Sequence, residues 1–235
     1  MILNRVEGSR FSEVYPEWAG ETVVLVGGGA SLTKEQIKVV AVAHAERRTK
    51  CIAVNDAYHL APWADVLYAA DARWYWWQQH GKASAGLGIS PECVRKNWAA
   101  FTGQKCSIES SNMVADDAVH FLRNLHGSSH GVGLSCDPHS LVTGRNSGFQ
   151  ALNLAVLAGA RRVVLLGFDG GKAKDGRSHW FGDHPESTPD AVYAYFRQAM
   201  SAAENALNDL GVEVLNCSPG SMIDSFPKCE IGKVL

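Results

Sequence analysis

The chain carries no surplus of either charge. Lys and Arg number 22 against 24 Asp and Glu, a formal net charge of -2. That excludes a global nucleic-acid footprint. The local cluster of Arg47, Arg48 and Lys50 reads as a solvated helix end. No CxxC pair occurs among the six cysteines, Cys51, Cys93, Cys106, Cys136, Cys217 and Cys229. A disulfide scaffold is not expected in a chain this long, and a reducing cytosol is. No apolar run reaches transmembrane length and no leader-like segment opens the chain, so no membrane span is expected. Internal repeats, low-complexity stretches and linkers are also lacking. Residues 1–235 are thus expected to form a single domain.

Three familiar nucleotide signatures are missing as well. The glycines after Val26 read G-G-G-A-S-L, which does not complete GxGxxG, and no Walker lysine follows. No second acidic residue stands close to Asp169, so a DxD metal clamp is absent and no metal is expected.

What is present is an α/β pattern. Hydrophobic residues make up 46% of the chain and charged residues 20%, enough apolar content for a large core. ETVVLVGGG reads as a buried strand running into glycines, CIAVN and DVLYAAD as two more strands. Ser31 is a candidate cap for a helix over 32–47. Residues 73–80 read as a helix and KCSIES as an edge strand. VADDAVHFLRNL has helical character, and residues 111–135 otherwise give little signal. Residues 146–171, NSGFQALNLAVLAGARRVVLLGFDGG, carry the strongest pattern: a polar turn, a small-residue helix, an apolar strand and a loop. A polar loop over 170–188 is a candidate lid. A long helix over 189–210, with Pro189 at its start, and the strand VEVLNCSP follow. The order implies a doubly wound, mostly parallel, Rossmann-like sheet with helices on both faces.

In such a sheet ligands sit at the carboxyl ends of the strands. Gly27, Gly28, Gly29 and Ser31 form a turn whose backbone N–H groups and following helix could meet a phosphate. Asn55 follows the second strand and can read a base or ribose. Asp56 contacts ligand or caps the next helix. Asp71 accepts from a sugar hydroxyl or pairs with Arg73. One ring of Trp74, Tyr75, Trp76 and Trp77 could line the pocket and the others fill the core. Asn146, Ser147 and Gly148 open a helix whose first N–H groups face an anion, with Thr143 and Arg145 beside them. Asp169 could hold a metal, a ribose or its own loop. His179 and His184 are candidate general bases, and Asp183 between them raises the alternative of a metal site.

These stretches occur together, and in the same order, in the bacterial sialyltransferase-like superfamily, which this chain resembles over about half its length. The matching segments are VVLVGGGASL, CIAVNDAYHLAPWADVLYAAD, NSGFQALNLAVLAGARRVVLLGFDG and, more weakly, SHWFGDHP and VEVLNCSPGSMIDSF. The superfamily includes proteins grouped with 6-hydroxymethylpterin pyrophosphokinases, and the chain also resembles uncharacterised bacteriophage proteins.

The resemblance implies a sialyltransferase-like variant of the GT-A architecture. It also implies metal-independent transfer from a nucleotide-activated, CMP-linked sugar to an acceptor hydroxyl. The donor is a substrate, and no separate cofactor is implied. The family's Gly-Pro-Ser nucleotide contact falls on Gly29, Ala30 and Ser31. Its asparagine falls on Asn55, its Ser-Gly on Ser147 and Gly148, and its aspartate on Asp169. The family's catalytic histidine lies in Ser-His-x-x-Gly-His. Here Ser178, His179, Trp180, Phe181 and Gly182 are followed by an extra Asp183 before His184. The turn of Asn216, Cys217, Ser218 and Pro219 resembles the family's cysteine-rich turn.

Tyrosines that meet the departing phosphate in that family have no counterpart within 170–180, where Lys172, Arg177 and Trp180 stand instead. The acceptor is open between a glycan, a small molecule and a modified nucleic acid, and a homo-oligomer is possible. The expected compartment is the cytoplasm of a bacterium or a phage-infected host. The alternatives are a Mg-dependent nucleotide pyrophosphokinase or phosphoryl transferase, and a phage nucleotide-binding protein without chemistry.

Overall fold

A computed structural model describes residues 1–82, 87–108, 118–125, 133–182 and 189–235. Strands β1 (Leu3–Arg5) and β2 (Ser12–Val14) form an antiparallel pair. Then come β3 (Thr22–Val26), helix α1 (Lys34–Ala45), β4 (Lys50–Val54), a 3-10 turn at Asn55–His59 and β5 (Val66–Tyr68). Helices α2 (Ala72–Gln79) and α3 (Pro91–Ala100) lead to β6 (Gln104–Ile108), β7 (Val119–Leu125) and β8 (Ser140–Val142). The chain closes with α4 (Ser147–Leu157), β9 (Arg162–Leu166), α5 (Asp190–Ala202), α6 (Glu204–Asp209), β10 (Glu213–Asn216) and a 3-10 turn at Ile231–Lys233.

Among the described residues, eight strands make one sheet in the order β10-β9-β3-β4-β5-β6-β7-β8, every neighbouring pair parallel. The fold is therefore α/β, with a parallel sheet flanked by helices. Side-chain alternation splits the apolar interior in two. Val23, Leu25, Val163 and Leu165 face α4, α5 and α6, whereas Val24, Val26, Val164 and Leu166 face α1, α2 and α3. Because both faces are covered, these strands read as unbroken apolar runs. Among the described residues no helix is long and apolar enough to cross a membrane.

The winding reverses between β3 and β9. From β3 the chain builds outward through β4 to β8. It then returns through α4, packed against β3, β4 and β8, and lays β9 on the other side of β3. This switch point opens a crevice at the carboxyl ends of β3 and β9.

Several local expectations are corrected. Of the segment given helical character, residues 114–117 lie outside the described residues and Val119–Leu125 form strand β7, because Val119 and Phe121 alternate inward and the segment pairs with both β6 and β8. KCSI is an interior strand, not an edge. The long C-terminal helix divides at Ala203 into α5 and α6. Helix α3 begins on a Ser90 cap with Pro91 in its first turn, a start signal in a stretch to which sequence reading assigned no element. Ser31 does not cap α1. Thr33 does, in a reciprocal box with Gln36, and Ser31 is engaged elsewhere.

Candidate functional site

The crevice holds a pocket of about 360 Å³. Gly27, Gly28, Gly29, Asn55, Asp56, Asn146, Ser147, Gly148, Asp169 and His179 all line it. Ser31 and Asp71 lie outside its lining, and Asp183 and His184 lie outside the described residues. A groove of about 620 Å³ runs beside β10 and the C-terminal tail, but none of the candidate residues lines it.

The glycine turn is a packing device first. The Gly27 N–H donates to Leu166 O at 2.7 Å and the Gly29 N–H to Gly167 O at 2.8 Å, extending the parallel ladder beyond β3 and β9. The expectation that these N–H groups stay free for an anion is therefore corrected. A side chain at Gly29 would put its Cβ 2.5 Å from the Asp169 carboxyl carbon. Gly148 is needed for a similar reason, since a Cβ there would meet the Phe168 ring at 2.6 Å.

Asp169 holds the glycine turn rather than its own loop. Its Oδ2 accepts from the Ser31 N–H at 2.8 Å, its Oδ1 accepts from the Ser31 hydroxyl, and the Ala30 N–H also bonds it. Burial raises its pKa, against the pull of those donors. Asp56 is likewise committed: its Oδ1 accepts from Trp74 Nε1 and Gln78 Nε2, each at 3.2 Å, which moors α2. Asp71 caps the same helix, accepting from the Arg73 N–H at 2.8 Å. Trp74 and Tyr75 are core, and none of the four consecutive rings lines the pocket.

Asn55 and Arg145 stand apart from this scaffolding. Both have φ of 52°, in the left-handed region, and both line the pocket. Asn tolerates that region better than most residues, Arg does not, and such strain gathers at functional sites. Asn146 caps α4, its Oδ1 accepting from the N–H groups of Gly148 at 2.6 Å and Phe149 at 3.4 Å. Two of the donors expected to face an anion are thus already paired. What the start of α4 offers is Ser147, its dipole and the nearby Arg145 guanidinium.

The described part of the candidate lid is sewn to the glycine turn. The Trp180 N–H donates to Gly28 O at 3.1 Å, and His179 pairs antiparallel with Gly29. His179 Nδ1 lies 3.3 Å from Gly28 O. A carbonyl oxygen only accepts, so this contact favours the tautomer with hydrogen on Nδ1 and the lone pair on Nε2. The ring stacks on Phe181 at 5.0 Å between centroids.

Sequence reading passed over Phe168, Tyr193 and Phe196. Phe168 fills the pocket floor, and Tyr193 and Phe196 close the wall from α5. Their three-residue spacing was the available signal, since it places both on one helix face.

No family model matches the chain, and no curated protein matches it. A fold relative does exist. The structure of the sialyltransferase CstII from Campylobacter jejuni, solved in complex with a substrate analogue, cytidine-5'-monophosphate, superposes with a TM-score of 0.50. The match covers 89% of this chain and 85% of that one at 10% sequence identity. At that identity the likeness is one of fold. Among the described residues, no three His, Cys, Asp or Glu side chains gather where they could hold a metal ion.

Proposed function

We propose that this chain is a glycosyltransferase-like enzyme that uses a nucleotide-activated, CMP-linked sugar and a histidine base, without a metal. The observation that carries this reading is the convergence of Asn55, the α4 N-terminus, Arg145, Tyr193 and His179 on one pocket at the switch point. The fold relative crystallised with cytidine-5'-monophosphate supports the choice of nucleotide.

In this reading Asn55 contacts the nucleotide. Ser147, Arg145 and the Tyr193 hydroxyl receive the departing phosphate, with Tyr193 standing in for the tyrosines lacking in 170–180. Its place in the pocket wall favours it over Lys172, Arg177 and Trp180, none of which lines the pocket. The nucleotide is a good leaving group, so orientation and anion stabilisation do most of the work. The lone pair on His179 Nε2 takes the acceptor hydroxyl proton as that oxygen attacks the anomeric carbon. His184 is the second candidate for this role. The acceptor is a hydroxyl of a glycan, a small molecule or a modified nucleic acid, and residues 170–188 act as a lid over it.

A thermal-shift series with CMP, CDP, UDP, GDP, ADP and ATP tests the nucleotide. Stabilisation by CMP above the others is expected, and a flat response sinks the reading. His179→Ala and His184→Ala separate the bases: the true base loses about 10²–10⁴-fold in turnover while CMP binding persists. Turnover abolished by EDTA would instead favour a Mg-dependent phosphoryl transferase. Binding without turnover under every condition would favour a non-catalytic nucleotide-binding protein.

A further inference from the structure

The C-terminal tail returns to the edge of the sheet just beyond β10. The Asn216 N–H donates to Pro227 O at 2.8 Å, and the Cys229 N–H donates to Asn216 O at 3.1 Å. This pair of bonds makes Asn216 and Lys228 partners in a parallel bridge. Cys217 and Cys229 therefore occupy the next rung, on the same face. Parallel chains lie about 4.8 Å apart in the bonding direction. A disulfide needs Cα atoms about 4.4–6.8 Å apart, so the rung spacing suits one. Neither is cross-linked, Cys217 is buried and Cys229 exposed.

We propose that Cys217 and Cys229 form a reversible intramolecular disulfide that clamps the C-terminal tail to the turn beneath the pocket, with a low-molecular-weight disulfide as oxidant. The exposed Cys229 thiolate attacks the oxidant RSSR and releases one thiolate. The Cys217 sulfur then attacks the mixed disulfide, gives up its proton and displaces the second. Two protein thiols lose two electrons and two protons, and RSSR becomes two RSH. Burial, with the neighbouring Cys229 adding to it, raises the Cys217 pKa to about 11, so Cys229 is the thiol that opens the exchange.

The turn being clamped supports the pocket floor. Ser218 Oγ accepts from the Phe168 N–H at 2.8 Å, Ser221 Oγ donates to Phe168 O at 2.6 Å, and the Met222 N–H donates to Asp169 O at 2.7 Å. The tail itself is held by Lys228 Nζ donating to Ser221 O at 2.8 Å and by burial of Ile231. Oxidation would tie these contacts into one closed loop.

The test equilibrates the full chain with oxidised glutathione and digests it with trypsin without reduction. Cleavage after Lys228 separates the two cysteines, so a peptide 198–228 linked to 229–233, two hydrogens lighter than its parts, is the expected product. The oxidised monomer should also melt about 5 °C higher than the reduced one, a gain reversed by dithiothreitol and missing in Cys229→Ser. Glutathione carried on Cys229 with Cys217 still reduced overturns the proposal. So does a crosslink of either residue to Cys93 or Cys136, or one found only between two chains.

Discussion

Gly29 and the Asp169 carboxylate share one small volume, and neither tolerates enlargement of the other. Gly29→Ala should cost about 1–3 kcal/mol by overpacking, measured by urea unfolding, and should distort the pocket wall. Asn55 makes the opposite case. Its left-handed backbone is strained while its side chain lines the pocket. Asn55→Gly should leave stability unchanged or raised by up to about 1 kcal/mol, yet weaken CMP binding several-fold. If binding is unchanged, Asn55 is not a nucleotide contact. A pH signature belongs to His59. Burial lowers its pKa from 6.5 to about 4, so the unfolded chain takes up this proton first as pH falls. The stability from keeping His59 neutral is complete above pH 6.5 and is lost as pH drops towards about 4. His59→Asn keeps an acceptor for Asn97, which bonds His59 Nδ1 at 3.0 Å, and should flatten that limb of the melting-temperature profile.

At the scale of the element, α4 shows why a polar residue in an apolar helix need not be catalytic. Asn153 is fully buried, and its Oδ1 accepts from the N–H groups of Ser135 at 2.9 Å and Val142 at 3.2 Å. Its Nδ2 donates to Ser135 O at 2.9 Å. Gln150 accepts from the Tyr68 hydroxyl at 2.8 Å in the same way. These groups bolt α4 to the β8 edge and to β5. Asn153→Leu orphans three buried backbone groups and should cost about 3 kcal/mol or more. Asn146→Ala removes only a cap and should cost about 1 kcal/mol. The two losses are separable by denaturant unfolding. Comparable losses would show that the Asn153 bracket is not holding the helix. Asn146 and Ser147 were legible as a helix start. Which N–H groups the cap consumes was not, because that depends on side-chain geometry.

At the scale of the whole molecule, the pocket exists because the winding reverses. Ligand at the switch point would touch the ends of β3 and β9 and the start of α4, joining both halves of the sheet. CMP at about 100 times its dissociation constant should add about 2.7 kcal/mol of stability, or roughly 5–10 °C in Tm for a chain of this size. Residues 27–29, Asn55 and Asp169 could be placed at strand ends from sequence, 146–148 at a helix start and His179 in the loop after Asp169, since apolar runs broken by Gly, Asn and Asp announce themselves. Their separate duties could not. Asp56, Asp71 and Asp169 look equivalent as acids after strands, and only packing makes one a mooring for α2, one its cap and one the anchor of the glycine turn.

The sequence by itself determined the class of fold and the sheet edge at which a site would sit. It did so because burial on both faces writes apolar runs and winding writes polar ends. The tertiary structure decided β7 as a strand, the order of the eight strands and the entry of Tyr193 and Phe168 into the pocket. Each of these rests on partners distant in the chain. It also made Gly27 and Gly29 part of the seam where β3 meets β9, because hydrogen bonds across the switch point claim their N–H groups, which local pattern left free.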